Sequence, residues 1–153
     1  MKKRIASILL AVMMIVTLLP LGLMDTAWAA TVVGSGRCSG YNSNVTWKLT
    51  SDGTLTISGT GYMKTYYVYN GEYAPWYNLR SQVKKVIITN GVTNTGGYTF
   101  YECSNLESVT IADSVTAIGR YTFYECSSLK SVTIPDSVTS IGESGFYAWT
   151  GLT

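Results

Sequence analysis

The side chains that could carry chemistry in this chain are few, and they recur at one spacing. Glu102 and Glu125 lie 23 residues apart, as do Cys103 and Cys126, and Tyr101, Tyr124 and Tyr147 follow the same interval. Two carboxylates at a suitable separation could serve as the acid and base of a glycoside hydrolase. Registry within a repeat explains the pair without catalysis, because stacked turns set equivalent Cα atoms about 5 Å apart. The same two groups fall short of the ligand number that calcium needs. The sequence contains no histidine, which removes Ser-His-Asp and Cys-His nucleophiles and any zinc site built on imidazole. It also lacks a GxxxxGK[ST] phosphate loop and a GxGxxG fingerprint. The expectation is a non-enzyme with no catalytic residues, no cofactor and no metal.

Three cysteines are present, so at least one thiol stays unpaired within the chain. Cys103 and Cys126 occupy one repeat position, and parallel side-chain directions suit a disulfide poorly. Buried free thiols are expected there, packed as small hydrophobes. Cys38 is expected to be an unpaired or intermolecular thiol.

The elements that position these residues follow from the repeat. Val92–Ser114 (VTNTGGYTFYECSNLESVTIADS) and Val115–Ser137 (VTAIGRYTFYECSSLKSVTIPDS) are identical at 17 of 23 positions. A further copy begins at Val138 and reaches Thr153 without its strand, and subtracting one period exposes a worn copy over 74–91 in which Tyr77 aligns with Phe100. A fixed period of this length predicts a solenoid. Its apolar columns are Val92/Val115/Val138, Phe100/Phe123/Phe146, Leu106/Leu129/Leu152, Val109/Val132 and Ile111/Ile134, with Ile118 and Ile141 in another that Thr95 interrupts. Lys85–Ile88, Ser108–Ile111 and Ser131–Ile134 have the alternation of short parallel strands. Gly96, Gly119 and Gly142 mark a turn that positive φ would explain. A single helical or 3₁₀ turn is expected over Tyr98–Ser104 and Tyr121–Ser127. Lys84, Glu107 and Lys130 alternate in sign down one column and predict an ion-pair ladder, and Arg120 with Glu143 a further pair.

The array needs a cap, because a solenoid end exposes core and strand edges. Residues 45–49 and 54–58 alternate apolar and polar around Ser51-Asp52-Gly53, which predicts a β-hairpin. Thr31–Asn44, rich in Gly and Ser, reads as an irregular entry segment. Residues 59–77 carry Tyr62, Tyr66, Tyr67, Tyr69, Tyr73, Trp76 and Tyr77. These rings either seal the first turn or form a binding platform.

Lys2, Lys3 and Arg4, the apolar run from Ile5 to Met24, and Ala27-Trp28-Ala29 together read as a secretory signal peptide cleaved after Ala29. Such a run is also long enough for a retained anchor, and Pro20, Gly22 and the A-x-A site favour removal. Beyond residue 29 the chain has eight Lys/Arg and eight Asp/Glu. That neutral balance gives no footprint for nucleic acid or an anionic membrane.

The pattern VTxIGxxxFxxCxxLxxVxIPxS, present as Val115–Ser137, resembles the BspA-like class of bacterial surface leucine-rich repeats. WKLTSDGTLTISGTG and APWY resemble the segment that leads into such arrays. The resemblance implies a mainly β fold: a short right-handed leucine-rich-repeat solenoid with parallel strands behind an N-terminal β-hairpin cap. The expected organisation is a signal peptide at 1–29, a cap with hairpin and aromatic loop at 30–73, and repeats at 74–153 (74–91 degenerate, 92–114, 115–137, 138–153 incomplete). It further implies a secreted or cell-surface bacterial protein used in adhesion or recognition, with no catalytic residues to carry over. The candidate ligand-binding residues are Tyr101, Tyr124, Tyr147, Trp76 and Tyr77, facing an extracellular protein or a glycan. Self-association through an open C-terminal end of the array is a further expectation. The intact mass of the exported protein checks the processing: cleavage as expected leaves Ala30 as the first residue, and a retained 1–29 segment refutes it.

Overall fold

The computed structural model describes residues 29–149. The expected signal peptide at 1–29 lies outside them except for Ala29, as do residues 150–153. Among the described residues nine strands follow one another: β1 Val32–Arg37, β2 Asn44–Thr50, β3 Thr54–Tyr62, β4 Lys85–Ile88, β5 Val92–Asn94, β6 Ser108–Ile111, β7 Ala117–Ile118, β8 Ser131–Thr133 and β9 Ser140–Ile141.

The predicted hairpin forms, with Trp47 opposite Ile57 and Leu49 opposite Leu55. Val45, Leu49, Leu55 and Ile57 are fully buried, as their alternation requires. Asp52 ties the turn. It accepts from the Thr50 hydroxyl at 2.6 Å and the Thr54 N–H at 3.1 Å, and these bonds hold its carboxyl below the usual range. The entry segment is not irregular. β1 pairs antiparallel with β2, setting Gly36 opposite Trp47. A Cβ at Gly34 would lie 2.8 Å from the Trp47 ring and one at Gly36 3.1 Å from its nitrogen. The glycines that argue against a strand are there to admit an indole.

β3 joins cap to array. Thr54–Ile57 pairs in parallel with β4, and Gly61–Tyr62 pairs in parallel with β5. Between these stretches Gly59, at φ 116°, lets the strand turn from one neighbour to the other. Two parallel ladders then grow outward, β4-β6-β8 and β5-β7-β9, each stepping by 23 residues: Val86 to Val109 to Val132 in the first, Asn94 to Ala117 to Ser140 in the second.

The core lies between the ladders and is built of identical residues stacked on one another. Phe100 and Phe123 stack at 5.2 Å, and Phe123 and Phe146 at 5.1 Å. Each such aromatic contact adds about 0.5–1.5 kcal/mol beyond burial. The column begins with Trp76, stacked on Phe100 at 5.7 Å and donating its indole N–H to the Thr99 carbonyl at 3.0 Å. The sequence alignment put Tyr77 in that place, and the structure corrects it by one residue. Thr95, in a column of isoleucines, is fully buried. Its hydroxyl accepts from the Gly119 N–H at 3.0 Å and lies 3.3 Å from that of Thr122, so the polar atom is satisfied. Phe100, Phe123 and Leu129 are buried, whereas Ile134 and Ile141, beside or within the outermost strands of the two described ladders, are 38% and 48% exposed.

The repeated glycines also need a different reason. Only Gly96 of the three has positive φ. At Gly119 a Cβ would stand 1.9 Å from the Gly96 carbonyl oxygen, and at Gly142 2.4 Å from the Arg120 nitrogen. Successive turns touch there backbone to backbone. The expected helical turn over 98–104 and 121–127 is a run of tight turns instead. The array's 3₁₀ segment is Tyr77–Gln82, in the worn copy.

All three cysteines are free and buried. Cys103 and Cys126 agree with expectation. Cys38 does not present itself for an intermolecular bond, being 3% exposed. Burial pushes the Cys38 and Cys126 thiols up to about 12, and Cys103 well above its ordinary value. A thiol reagent at pH 8 should therefore find none of the three in the folded protein and all three in denaturant, and prompt labelling of native Cys38 refutes its placement. Gly119→Ala should lower stability by about 3 kcal/mol or more, because a rigid backbone must give way. Gly71→Ala, with φ 76° and nothing within 4 Å, should cost only about 1–2 kcal/mol of backbone strain. Thermal denaturation of the two variants checks the order, and equal melting temperatures refute the close-packed turn.

Candidate binding surface

The two clear copies, 92–114 and 115–137, each contain a segment in which alternate backbone N–H groups bond to the next turn. Tyr98, Phe100 and Glu102 donate to the carbonyls of Arg120, Thr122 and Tyr124 at 3.0, 3.0 and 2.9 Å. Tyr121, Phe123 and Glu125 do the same to Glu143, Gly145 and Tyr147 at 2.9, 2.8 and 3.1 Å. Tyr98, Glu102, Tyr121 and Glu125 have φ between 53° and 57°. Left-handed backbone costs about 1–2 kcal/mol per residue outside glycine, and the inter-turn bonds offset it. The result directs Phe100 and Phe123 into the core and sets the neighbouring tyrosines outside.

Those tyrosines form two parallel columns. Tyr101, Tyr124 and Tyr147 stack at 5.2 and 4.9 Å, each pair within 9° of parallel. Tyr98 and Tyr121 stack beside them at 4.8 Å and 14°. Tilted contacts of 5.7 Å (Tyr98 to Tyr101) and 5.6 Å (Tyr121 to Tyr124) join the columns. Arg120 extends the surface toward the cap loop, 5.6 Å from the Tyr67 ring and 5.7 Å from that of Tyr98. Burial first, then the Glu102 carboxylate, pushes the Tyr101 hydroxyl up to about 12. Desolvation and Glu125 raise Tyr124 as well. Both hydroxyls are therefore neutral donors at physiological pH.

A groove of about 570 Å³ runs beside this ladder, with Arg80 at one end and Ala148 at the other, and Glu102, Glu125, Ser104 and Ser127 between them. Arg80 approaches Glu102 at 3.6 Å, and the Tyr77 hydroxyl donates to the same carboxylate at 3.1 Å. Glu102 is thus engaged by a cation and a phenol.

The sequence candidates divide. Tyr101, Tyr124 and Tyr147 come together in one column, with Tyr147 55% exposed. Tyr77 lies outside the core, stacked on Tyr73 at 4.1 Å. Trp76 is 1% exposed and belongs to the core stack, so it cannot meet a ligand in this fold. Of the aromatic loop, Tyr66 is buried, whereas Tyr62, Tyr69 and Tyr73 are exposed. Tyr98 and Tyr121 were overlooked as surface residues, although they sit three residues before Tyr101 and Tyr124 and recur with the period. The charge columns are also partial. Lys130 meets Glu107 at 2.7 Å and holds its carboxyl below the usual range. Among the described residues Lys84 makes no such contact. Arg120 rests on tyrosine rings, and Glu143 accepts instead from the Tyr121 hydroxyl at 3.4 Å.

No curated protein matches the chain. Among solved structures, a leucine-rich repeat protein from Eubacterium ventriosum is similar with 30% identity and a TM-score of 0.59, over 76% of this chain and 36% of that one. A T. pallidum leucine rich repeat protein shares the fold at 18% identity and a TM-score of 0.52, over 70% of this chain and 55% of that one. So does a leucine-rich repeat protein from Bacteroides ovatus, at 22% identity and a TM-score of 0.51, over 82% and 36%. The chain thus corresponds to 36–55% of the length of these relatives. The family model described as "BspA type Leucine rich repeat region (6 copies)" matches residues 74–153. Carrying that repeat over more than half its length, the chain belongs to the BspA-type leucine-rich repeat family.

Proposed function

We propose that this chain is an exported recognition module, displayed at or released from a bacterial surface, that binds an extracellular protein without catalysing a reaction. The repeat family is a protein-interaction scaffold and typically non-catalytic. The observation that carries the reading is how the tyrosines are used. In the Tyr101/Tyr124/Tyr147 column the rings stack face to face, so the inner faces are already occupied. A sugar ring that stacks on an aromatic needs a free face. What the column offers a partner is a row of ring edges and neutral hydroxyls at about 5 Å intervals. Rigid aromatic edges with hydrogen-bonding tips suit a protein surface. The leader-like segment at 1–29 supports export, and the neutral balance beyond it argues against nucleic acid.

Tyr124→Phe separates the two uses of the ring, because it keeps the stack and removes the hydroxyl. Binding of the exported protein to intact cell surfaces should fall about tenfold in this variant, with the melting temperature within about 2 °C of wild type. Protease treatment of the cells should abolish binding, and soluble polysaccharide should not compete. Competition by polysaccharide, with protease without effect, establishes the glycan reading in its place.

A further inference from the structure

Arg80 shows what chemistry the groove accepts. Its guanidinium carbon lies 3.9 Å from the centroid of the Tyr77 ring, and one nitrogen donates to the Tyr77 carbonyl at 3.0 Å. A second nitrogen faces Glu102 at 3.6 Å. Ring, carbonyl and carboxylate together make a guanidinium site, filled by the chain's own arginine.

One turn further along, part of this arrangement recurs with no cation in it. Tyr101 and Tyr124 stand in the ladder, and Glu125 lines the groove one period after Glu102. The neighbouring groove residues are Ser104 and Ser127, whose short side chains carry no charge and leave the space over Glu125 open. Glu125 is exposed and, among the described residues, makes no ion pair. The groove therefore holds two carboxylates and one cation.

We propose that the groove receives an arginine side chain from an extended segment of the protein partner, taking at Glu125 the place that Arg80 takes at Glu102. This rests on the ladder being a protein-recognition surface and names the chemistry of what it recognises. Charge complementarity calls for one cation. The Arg80 precedent selects guanidinium over ammonium, since a planar fork can present two N–H groups to one carboxylate while its other N–H groups reach a backbone carbonyl, whereas lysine offers a compact and strongly hydrated charge. The tyrosine hydroxyls alongside supply donors to the carbonyls of the segment that brings the arginine.

The probe is a blocked pentapeptide with one central arginine flanked by glycine and serine, titrated into isotope-labelled protein and followed by backbone amide shifts. Lysine and citrulline versions of the peptide are the controls. The arginine peptide should saturate and move the amides of Glu102, Ser104, Glu125 and Ser127. The other two should bind at least about fivefold more weakly. Glu125→Gln should weaken the arginine peptide by about fivefold or more while leaving the melting temperature unchanged, as expected for an exposed side chain. Equal binding of the arginine and citrulline peptides, no saturation up to millimolar peptide, or indifference to Glu125→Gln overturns the inference. If Tyr124→Phe abolishes cell binding but the peptide ignores Glu125→Gln, this inference fails and the recognition surface stands. If the peptide result holds but cell binding ignores Tyr124→Phe, the recognition surface fails and the guanidinium site stands.

Discussion

The structure depends on one strand that is shared. β3 is hydrogen-bonded antiparallel to β2 and then, in turn, parallel to β4 and to β5. Both ladders of the array start on it, so its geometry fixes how far apart they are and hence how thick the core is. The bend at Gly59 makes this sharing possible. A Cβ there would meet the Asn44 carbonyl oxygen at 1.9 Å, and one on Gly91 would meet the Gly59 carbonyl oxygen at 2.4 Å. Cap and array are therefore one hydrogen-bonded body, and the hairpin acts as a template as well as a cover.

Once the first turn is set, translation by 23 residues governs the rest. Each position meets its equivalent in the next turn about one strand spacing away, in most cases the same residue type, and residue types differ in how they tolerate that. Aromatic rings gain by it, which is why phenylalanine fills the inside and tyrosine the outside of the same segment. Small neutral groups such as the buried thiols of Cys103 and Cys126 are indifferent. Charges are penalised. The chain answers by alternating sign, as Glu107 with Lys130, or by supplying an outside partner, as Arg80 with Glu102. Glu125 has neither, and that imbalance is what makes the groove chemically one-sided.

Periodicity made much of this legible in the sequence. The positions of β4 and β6, the inward residues Val109 and Ile111, the hairpin and the outward Tyr101/Tyr124/Tyr147 column all follow from alternation plus the repeat. What failed was whatever depended on contact between non-equivalent parts. β1 was missed because its glycines serve the Trp47 ring in a neighbouring strand, a reason invisible locally. Trp76 was placed outside because the worn copy is offset by one residue near it, and only stacking on Phe100 reveals the offset. The glycines at 119 and 142 looked like turn residues. They are needed because two backbones approach more closely than a methyl group allows. The groove could not be seen at all, since it joins Arg80 of the worn copy to glutamates of the next two.

A strictly periodic surface poses a problem for recognition. If every turn presented the same tyrosine edge and the same carboxylate, a partner could bind in several registers related by one strand spacing, each nearly equal in energy. Specificity is a difference between such states, so the non-repeating residues must define it. At the first turn Arg80 already faces the carboxylate of Glu102, which would exclude a second guanidinium there. Ala148, standing where Glu102 and Glu125 stand, removes the carboxylate at the third. Arg120 lies on Tyr67 and Tyr98, and its counterpart in the next turn is Glu143. Among the described residues, the turn carrying Glu125 is the one that combines an outward tyrosine, an open groove and a carboxylate without an ion pair. In the proposed recognition, the repeat builds the surface and the departures from the repeat choose the register in which it is read.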